Sequence, residues 1–600
     1  MNSNLKLIFF LIFLFQNSSL QKIPFRYLTE NEETEIENLE ENYYNQNKEI
    51  ILSYFNFPEN SINICKTCKI SVEYFRNIIL NKYGEQGLYK FLTLLCSNFL
   101  KKNICYGAIT RYGPIVLDSF IKKTFNPNQI CSNLNLCTKE KFIKIEDYAK
   151  RILSNKPKEI PKPKTKSKNK KLKSLQITDI HLDLNYKENT IVNCDIPLCC
   201  HDYPLNETNE IKEKKNDYKL SGLYGSIGKC DANIETVKAF SEKISEIKDL
   251  DYIMFTGDNV AHNIWDVTQE EVVQNTKIII ENIKKKIGNK IPIYPCLGNH
   301  EKAPVDEFYG SESVLLNGLG DIFKEYLSKD AEESFRKYGY YTMLHKDTKL
   351  RIVSLNCIIC DSFNFNLIFD SNAPKKMFDW LENVLSQAEK NNEIVHIMDH
   401  IPIGHDQHTT QCAWRLKILL ERYQNIIRGY FSGHSHSEYM TIVKEYTNQS
   451  KPNIIDYITS GLTTYSSYNP SFRIFEIDSI DYYVEDFIQY RMNLTESNKL
   501  RKPIWFISYI ATDFFNVKTM ADVESINKYE IGPQYVIKKY TDIDDAEKKS
   551  KDWGAINSCK CTFNCDTIEE QNKCQNMKAG FNERYLHYVL DYLMGNWKEE

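Results

Sequence analysis

The feature that most constrains the fold of this 600-residue chain is a series of five short polar motifs, each directly after a run of β-type residues. The runs are Ser174–Thr178, Tyr252–Thr256, Ile291–Leu297, Ile394–Met398 and Ile426–Ser432. A strand end that opens into a loop holds polar side chains at one edge of a sheet. Five such ends side by side would bring together seven nitrogen and oxygen ligands: Asp179, His181, Asp258, Asn299, His400, His434 and His436. The pattern therefore predicts two divalent ions that share one bridging carboxylate.

The chemistry of these ligands narrows the choice of metal and reaction. Histidine, aspartate and asparagine ligands without a thiolate suit Zn, Mn or Fe. Two such ions activate a bridging water and neutralise charge on phosphate oxygens, which is what hydrolysis of a phosphodiester requires. Two Zn²⁺ ions are expected in an oxidising compartment, because zinc has no redox chemistry.

Further histidines lie beside the ligands. His300 directly follows Asn299, and His262 lies four residues after Asp258. Either imidazole could protonate the leaving alkoxide, since a histidine near a metal centre can be tuned to the working pH. The alternative for both is a structural role in a loop. His405 and His408 are expected to be loop residues, with His405 also a candidate for a group behind the ligands.

Length and charge limit the classes of protein and partner. A chain of 600 residues is too long for one hydrophobic core, so we expect two to four domains. A net charge of −4 argues against a nucleic-acid partner. A monomer is expected.

The amino-terminal residues 1–20 have the pattern of a secretory signal peptide. Nine apolar residues, Leu7–Phe15, follow a lysine-containing start. An uncleaved anchor is the alternative, because small residues at a cleavage site are absent. No other stretch reaches the roughly 18 apolar residues of a membrane span, so the mature protein is expected to be soluble and either secreted or lysosomal.

The cysteines support passage through an oxidising compartment. There are 18 of them, most of them clustered, which favours disulfides once a signal peptide is present. Glycosylation sequons that fit this route begin at Asn206, Asn448 and Asn493.

Residues 61–141 form the first predicted domain. Six cysteines flank stretches with helical spacing of apolar residues, such as Val72–Leu80 and Gly87–Leu100. A Cys-x-x-Cys pair can indicate zinc or redox chemistry, but no second pair or histidine pair completes a zinc set. The segment is therefore predicted to be a small helical domain stapled by disulfides.

The remaining chain divides into three predicted segments. Residues 142–173 form a linker rich in proline and lysine, with a second interpretation as a contact to anionic lipid. Residues 174–480 alternate strand-like and helix-like runs, which predicts a layered α/β (α+β) domain. The helices expected there are Asn233–Lys248, Gln269–Lys286, Pro374–Lys390 and Trp414–Gln424. Residues 481–600 are predicted to be helical and to end in two local disulfides among Cys559, Cys561, Cys565 and Cys574, with a zinc knuckle as the alternative.

The order and wording of the five motifs resemble the calcineurin-like metallophosphoesterase superfamily. The resemblance implies two facing sheets flanked by helices, with a dinuclear centre at one end. It assigns Asp179, His181, Asp258 and His436 to one ion, and Asp258, Asn299, His400 and His434 to the other. No ligand position departs from the family pattern.

A second resemblance covers the chain from about residue 61 to its end. The six cysteines of 61–141 are similar to those of saposin-type domains, which pair as Cys65–Cys137, Cys68–Cys131 and Cys96–Cys105. Together with Gly257-Asp-Asn-Val-Ala-His262 and His400-Ile-Pro-Ile-Gly-His405, they resemble the acid sphingomyelinase family. That family implies the further disulfides Cys194–Cys199, Cys200–Cys230 and Cys360–Cys412, and leaves Cys296 and Cys357 without obvious partners. It also implies that Tyr465 lines the substrate site.

The reaction implied by this resemblance is hydrolysis of sphingomyelin to ceramide and phosphocholine, with peripheral contact to membrane lipid through the saposin-type domain. One alternative is a related phosphodiesterase that acts on nucleotides or other soluble phosphodiesters. Another is a non-enzymatic lipid-binding protein with a decayed metal site, which the intact ligand set argues against.

Overall fold

The computed structural model describes Lys69 and, with gaps of one or two residues, the ranges 89–124, 144–157, 170–202, 219–308 and 313–520. The predicted signal peptide, the pairs Cys65–Cys137 and Cys68–Cys131, the sequon at Asn206 and the cysteine-rich end of the chain lie outside these residues.

Two compact units are distinguished by their internal packing. Among the described residues, the first comprises those between 69 and 124 together with 365–372, and the second comprises those of 144–364 and 373–520. Within the first, helix α1 (Lys102–Thr124) begins beside the disulfide Cys96–Cys105, and Leu92 and Ile109 pack around that bridge. A short helix, α7 (Asn366–Phe369), belongs to the same unit and packs against α1.

The second unit is built on two six-stranded mixed sheets. The first sheet has the order β12-β11-β10-β1-β2-β3. Its strands are β1 (Lys171–Ile177), β2 (Tyr252–Phe255), β3 (Ile293–Pro295), β10 (Ser471–Asp478), β11 (Val484–Met492) and β12 (Trp505–Ile510). The neighbours β1, β2 and β3 are parallel, so their carboxyl ends meet at the same edge.

The second sheet has the order β4-β5-β6-β7-β9-β8. Its strands are β4 (Tyr341–Leu344), β5 (Leu350–Ser354), β6 (Ile394–Met398), β7 (Ile427–Ser432), β8 (Tyr439–Lys444) and β9 (Pro452–Ile458). Strands β5, β6, β7 and β9 are parallel, which again aligns their carboxyl ends.

Apolar side chains from both sheets form one core. Met254 and Phe475 from the first sheet pack with Met398 and Phe431 from the second. The rings of Phe431 and Phe475 meet edge to face with centroids 5.0 Å apart. Because both sheets bury their inner faces in this core, the polar loops are confined to the sheet edges.

Helices flank the sheets as α2 (Ile145–Leu153), α3 (Ile234–Ser245), α4 (Gln269–Ile287), α5 (Ser313–Phe323), α6 (Lys329–Tyr338), α8 (Ala373–Lys390), α9 (Thr410–Arg422), α10 (Leu494–Leu500) and α11 (Ala511–Phe515). The start of α4 shows why the predicted boundary was close, since Thr268 and Glu271 form a reciprocal capping box. The four helices predicted between 233 and 424 are confirmed, with ends that shift by a few residues.

Part of the predicted carboxyl-terminal helical region is wrong. Strands β11 and β12 lie within its first 30 residues, on either side of helix α10, and extend the first sheet. The stretch is rich in tyrosine, phenylalanine and isoleucine, which favour a pleated, half-buried surface, and Phe487 is fully buried in the core. Tertiary packing therefore decides for strand where the sequence alone was ambiguous.

The predicted linker 142–173 also contains ordered structure. Helix α2 buries Tyr148 and Ile152, and the Arg415 guanidinium lies 5.3 Å from the Tyr148 ring. Lys171, which was assigned to the linker, begins β1 and pairs with Glu476 at 2.6 Å. Among the described residues, no helix combines the length and the apolar character that a bilayer crossing requires.

Candidate dinuclear metal site

The five motifs lie where the sequence places them, at the carboxyl ends of β1, β2, β3, β6 and β7. Several of the candidate ligands themselves adopt the left-handed backbone region, with φ of 47° at Asp179, 62° at Asp258 and 70° at His434. Non-glycine residues are costly in this region and persist where surrounding structure holds them. A Cβ at Gly298 or Gly433 would collide with Asp258 or Asp179, so these glycines let the loops approach each other.

One group of candidate ligands surrounds the Nε2 atom of His181. Asp258 Oδ2 lies 3.4 Å from it and His436 Nε2 lies 3.1 Å from it. Asp179 Oδ1 lies 3.6 Å from His436 Nε2. All four residues are buried, so their ligand atoms face one another rather than water.

A second group shares Asp258. Its Oδ2 atom lies 3.0 Å from His400 Nε2, and His434 Nδ1 lies 3.1 Å from Asn299 Oδ1. The carboxylate of Asp258 therefore lies between the two groups. The structure thus brings all seven predicted ligands to one end of the two sheets.

Hydrogen bonds behind the histidines select the atom that each presents. His181 Nδ1 lies 2.8 Å from the Val260 carbonyl, and His400 Nδ1 lies 2.7 Å from the Thr256 carbonyl. A carbonyl only accepts, so both rings carry a proton on Nδ1 and present Nε2 as a ligand atom. Asp179 Oδ1 is buried and has no hydrogen-bond partner among the described residues. These donors fit a pair of divalent cations.

The electrostatics also favour positive charge at this point. Burial lowers the pKa of His181, but the hydrogen bond and charge of Asp258 outweigh it and raise the pKa to about 9. Burial is likewise outweighed at His400, where the charges of Asp258 and Asp179 raise the pKa to about 10. The pKa of Asp258 is well below its usual value, because the neighbouring histidines outweigh the effect of burial. Two carboxylates buried among imidazoles therefore create a site that attracts cations.

Several residues that hold the candidate ligands in place are not apparent from the sequence motifs. The buried Glu301 carboxylate accepts the backbone N–H groups of Asp258, Asn259 and Gly298 at 2.6–2.7 Å. Asp306 Oδ1 accepts from Asn299 Nδ2 at 2.8 Å, which turns the Asn299 carbonyl oxygen towards His434. Glu301 directly follows His300 in the sequence, but its contacts arise only in the folded chain.

The two predicted proton donors lie beside the first group. The His300 backbone donates to Asp258 Oδ1 at 2.8 Å, and the His300 ring centroid lies 4.8 Å from that of His181. His262 stacks between His181 at 4.0 Å and Tyr465 at 4.1 Å. Burial lowers the pKa of both His262 and His300. The Tyr465 hydroxyl donates to the Pro197 carbonyl at 3.0 Å.

Other predicted residues fall outside this cluster. The His405 ring lies 4.6 Å from that of His434, whereas His408 is buried in the loop between β6 and α9. Asn448 is exposed, and Asn493 caps α10 by accepting from the Glu496 backbone at 3.1 Å.

Four disulfides occur among the described cysteines: Cys96–Cys105, Cys194–Cys199, Cys200–Cys230 and Cys360–Cys412. These are the pairs that the family resemblances imply. Cys296 and Cys357 are free and buried. The first pair lies in the saposin-type region, and the bridges at 194–230 support the loop that carries Pro197.

Comparison with known proteins identifies three regions. A model of calcineurin-like phosphoesterases matches residues 172–438, and a model of the acid sphingomyelin phosphodiesterase C-terminal region matches residues 452–551. A model of saposin-like type B proteins, region 2, matches residues 103–137.

Individual relatives agree with these matches. Sphingomyelin phosphodiesterase B of Dictyostelium discoideum is 27% identical over 76% of this chain and 72% of its own length. Sphingomyelin phosphodiesterase of Bos taurus is 30% identical over 57% of this chain and 55% of its own length. A cyclic GMP-AMP phosphodiesterase of Bos taurus is 26% identical over 60% of this chain and 79% of its own length.

Proposed function

We propose that this chain hydrolyses sphingomyelin to ceramide and phosphocholine. It belongs to the calcineurin-like phosphoesterases and has the saposin-like and carboxyl-terminal regions of the acid sphingomyelin phosphodiesterases. It is a phosphoric diester hydrolase. The observation that carries the proposal is the convergence of seven nitrogen and oxygen ligands at the end of the two sheets.

The fold implies a dinuclear metal centre, and the described residues suit it. Asp179, His181, Asp258 and His436 would hold one ion. Asp258, Asn299, His400 and His434 would hold the other, with Asp258 shared. A bound pair of ions, for which we propose Zn²⁺, would supply a nucleophilic hydroxide at moderate pH and would neutralise phosphate charge.

Protein side chains carry the remaining steps. His300 and His262 border the first ligand group, and we assign them to the leaving oxygen and the phosphate oxygens of the substrate. A proton from an imidazole lets the ceramide oxygen depart as an alcohol rather than an alkoxide. Tyr465 stacks on His262, and we propose that it lines the substrate site.

The saposin-like region supplies a route to a lipid substrate. A phosphodiester in a bilayer must expose its headgroup to the metals while its acyl chains stay away from water. Amphipathic helices can dock on a membrane surface and shield the chains of one lipid. The region matched at 103–137 therefore favours a membrane lipid over a soluble substrate.

The secretory pathway is the expected location, either as a secreted or as a lysosomal protein. Four disulfides among the described residues need an oxidising environment to form and persist. The signal peptide at 1–20 and glycosylation at Asn206, Asn448 and Asn493 belong to this proposal.

A second candidate function is hydrolysis of a soluble nucleotide phosphodiester. The similarity to the cyclic GMP-AMP phosphodiesterase favours it, because that relative is covered over 79% of its length. The same metal chemistry would serve both substrates. The saposin-like region distinguishes them and gives the lipid precedence.

One assay separates the two functions. Purified full-length protein is incubated with sphingomyelin vesicles and, separately, with cyclic GMP-AMP, at pH 5 and pH 7, with Zn²⁺ or with a chelator. We expect Zn²⁺-dependent release of phosphocholine from the vesicles at a rate well above nucleotide cleavage. The Asp258→Asn variant, purified in the same way, controls for a contaminating hydrolase. Cleavage of the nucleotide without release of phosphocholine would reverse the order of the two functions.

A further inference from the structure

Asp231 is a buried carboxylate that no part of the ligand set uses. It directly follows Cys230, whose disulfide to Cys200 fixes its backbone. Its side chain is fully buried, and it accepts three hydrogen bonds from two residues. Two come from His262, through its backbone N–H at 2.8 Å and its Nδ1 at 2.8 Å. The third comes from the Thr463 hydroxyl at 2.8 Å.

The ring of His262 is also fixed from both faces. His181 stacks on one face at 4.0 Å, and Tyr465 stacks on the other at 4.1 Å with an interplanar angle of 9°. The carboxylate in the ring plane and the two stacked rings together leave the imidazole almost no freedom to rotate. A side chain held in this way pays its entropy cost on folding rather than on substrate binding.

The carboxylate also selects the tautomer. Asp231 accepts from Nδ1, so Nδ1 carries the proton, and Nε2 is the atom that His262 presents to the metal end of the sheets. An imidazole held by a carboxylate is both oriented and electrostatically supported when it gains positive charge. The His262 and His300 ring centroids lie 4.8 Å apart, and a ring nitrogen of His262 lies within 4.8 Å of ring nitrogens of His181 and His436.

We propose that Asp231 is a positioning residue for phosphodiester hydrolysis, which acts through His262 by fixing its orientation and tautomer. This inference rests on the proposed function only in that the chain hydrolyses a phosphodiester. It does not depend on whether sphingomyelin is the preferred one.

The chain offers a matched control for a generic effect of removing a buried carboxylate near the site. Asp183 is also buried and lies 2.5 Å from a histidine nitrogen, that of His201. This pair is not part of the stack on His181.

The test is a double-mutant cycle with Asp231→Asn, His262→Gln and the combination of both, each loaded with Zn²⁺. Hydrolysis is measured with bis(p-nitrophenyl) phosphate and with sphingomyelin vesicles, and Tm and metal content are measured for each protein. We expect each single variant to lower kcat by about 10²-fold or more, the usual worth of a positioned imidazole. The double variant should be within about 3-fold of His262→Gln, because Asp231 has nothing left to position. Asp183→Asn should stay within about 5-fold of the unaltered protein.

Independent effects, in which the losses of the two single variants multiply, would overturn the proposal. So would an Asp231→Asn protein that keeps its full kcat. If Asp231→Asn lowers Tm or metal content, kcat of all proteins in the cycle is measured at saturating Zn²⁺ and below their melting range. Losses of kcat that multiply under these conditions still count against the proposal. A failure of the proposed function looks different, because the unaltered protein would then leave sphingomyelin intact while the cycle remains measurable on bis(p-nitrophenyl) phosphate.

Discussion

Removal of the Cys200–Cys230 disulfide should affect both stability and catalysis. We consider the double variant Cys200→Ala with Cys230→Ala. This bridge closes a loop with a sequence separation of 30 residues and holds the residue that precedes Asp231. Its loss should therefore enlarge the unfolded ensemble and loosen the carboxylate beneath His262.

The loop lengths give the magnitude. In the chain-entropy treatment, a separation of 30 residues corresponds to about 3.6 kcal/mol of unfolding free energy at 25 °C. The Cys194–Cys199 bridge, with a separation of 5, corresponds to about 2 kcal/mol, and Cys360–Cys412, with 52, to about 4 kcal/mol. The three bridges therefore form a series in which the expected contribution to the unfolding free energy increases with loop length.

Urea unfolding of the three paired-alanine variants, each loaded with Zn²⁺, measures this series. We expect the free energy of unfolding to fall least in the Cys194/Cys199 variant, and to fall by roughly 1.5–2 kcal/mol more in the other two variants. The Cys200/Cys230 variant should also lose at least about ten-fold in kcat below its melting range, since displacement of a group that positions a catalytic side chain is costly. Equal losses of stability for all three, or an unchanged kcat for Cys200/Cys230, would refute the reasoning.

Four further outcomes are expected. Asp258→Asn should abolish turnover and lower metal content, because a neutral amide cannot hold two cations; two retained ions with a normal rate would contradict the shared ligand. His300→Gln should keep its metal and slow hydrolysis by about 10²–10⁴-fold, less for substrates with good leaving groups, whereas equal slowing of both substrate types would assign it a positioning role. Deletion of 61–141 should reduce attack on sphingomyelin vesicles far more than on bis(p-nitrophenyl) phosphate, provided that Tm and metal content show a folded protein. Burial lowers the pKa of His396 to about 4, so the unfolded chain binds the extra proton first and stability falls as pH drops from about 6.5. When the pH is lowered from 7 to 5, the free energy of unfolding of His396→Gln should therefore fall by about 2 kcal/mol less than that of the unaltered protein, as measured by urea unfolding. An equal fall for both proteins would contradict this.

The place of the candidate ligands in the fold could be predicted from sequence because its signal is local. Each motif directly follows an apolar β run, and the carboxyl ends of parallel strands such as β1 and β2 meet at one edge. A strand end therefore fixes the position of its polar residues even when the rest of the topology is unknown. The helices of the α/β domain were predictable for a similar reason, since capping residues such as Thr268 mark their ends.

The support behind the ligands could not be predicted in this way. Asp231 and His262 are 31 residues apart, and Glu301 contacts the Asp258 backbone across 43 residues. No local sequence motif indicates either contact, because the partners are far apart in the chain and come together only when it folds. Strand β11 is hard to predict for a related reason, since its mixture of charged and apolar residues becomes a strand through its pairing with the neighbouring strand β10.

Anomalous X-ray scattering from crystals of the Zn²⁺-loaded protein tests whether the site is dinuclear. We expect two zinc peaks about 3.5–4 Å apart, with Asp258 in contact with both. His181 and His436 should border one peak, and His400 and His434 should border the other. A single peak, or peaks away from the ends of β1, β2 and β7, would contradict a dinuclear centre built from these residues.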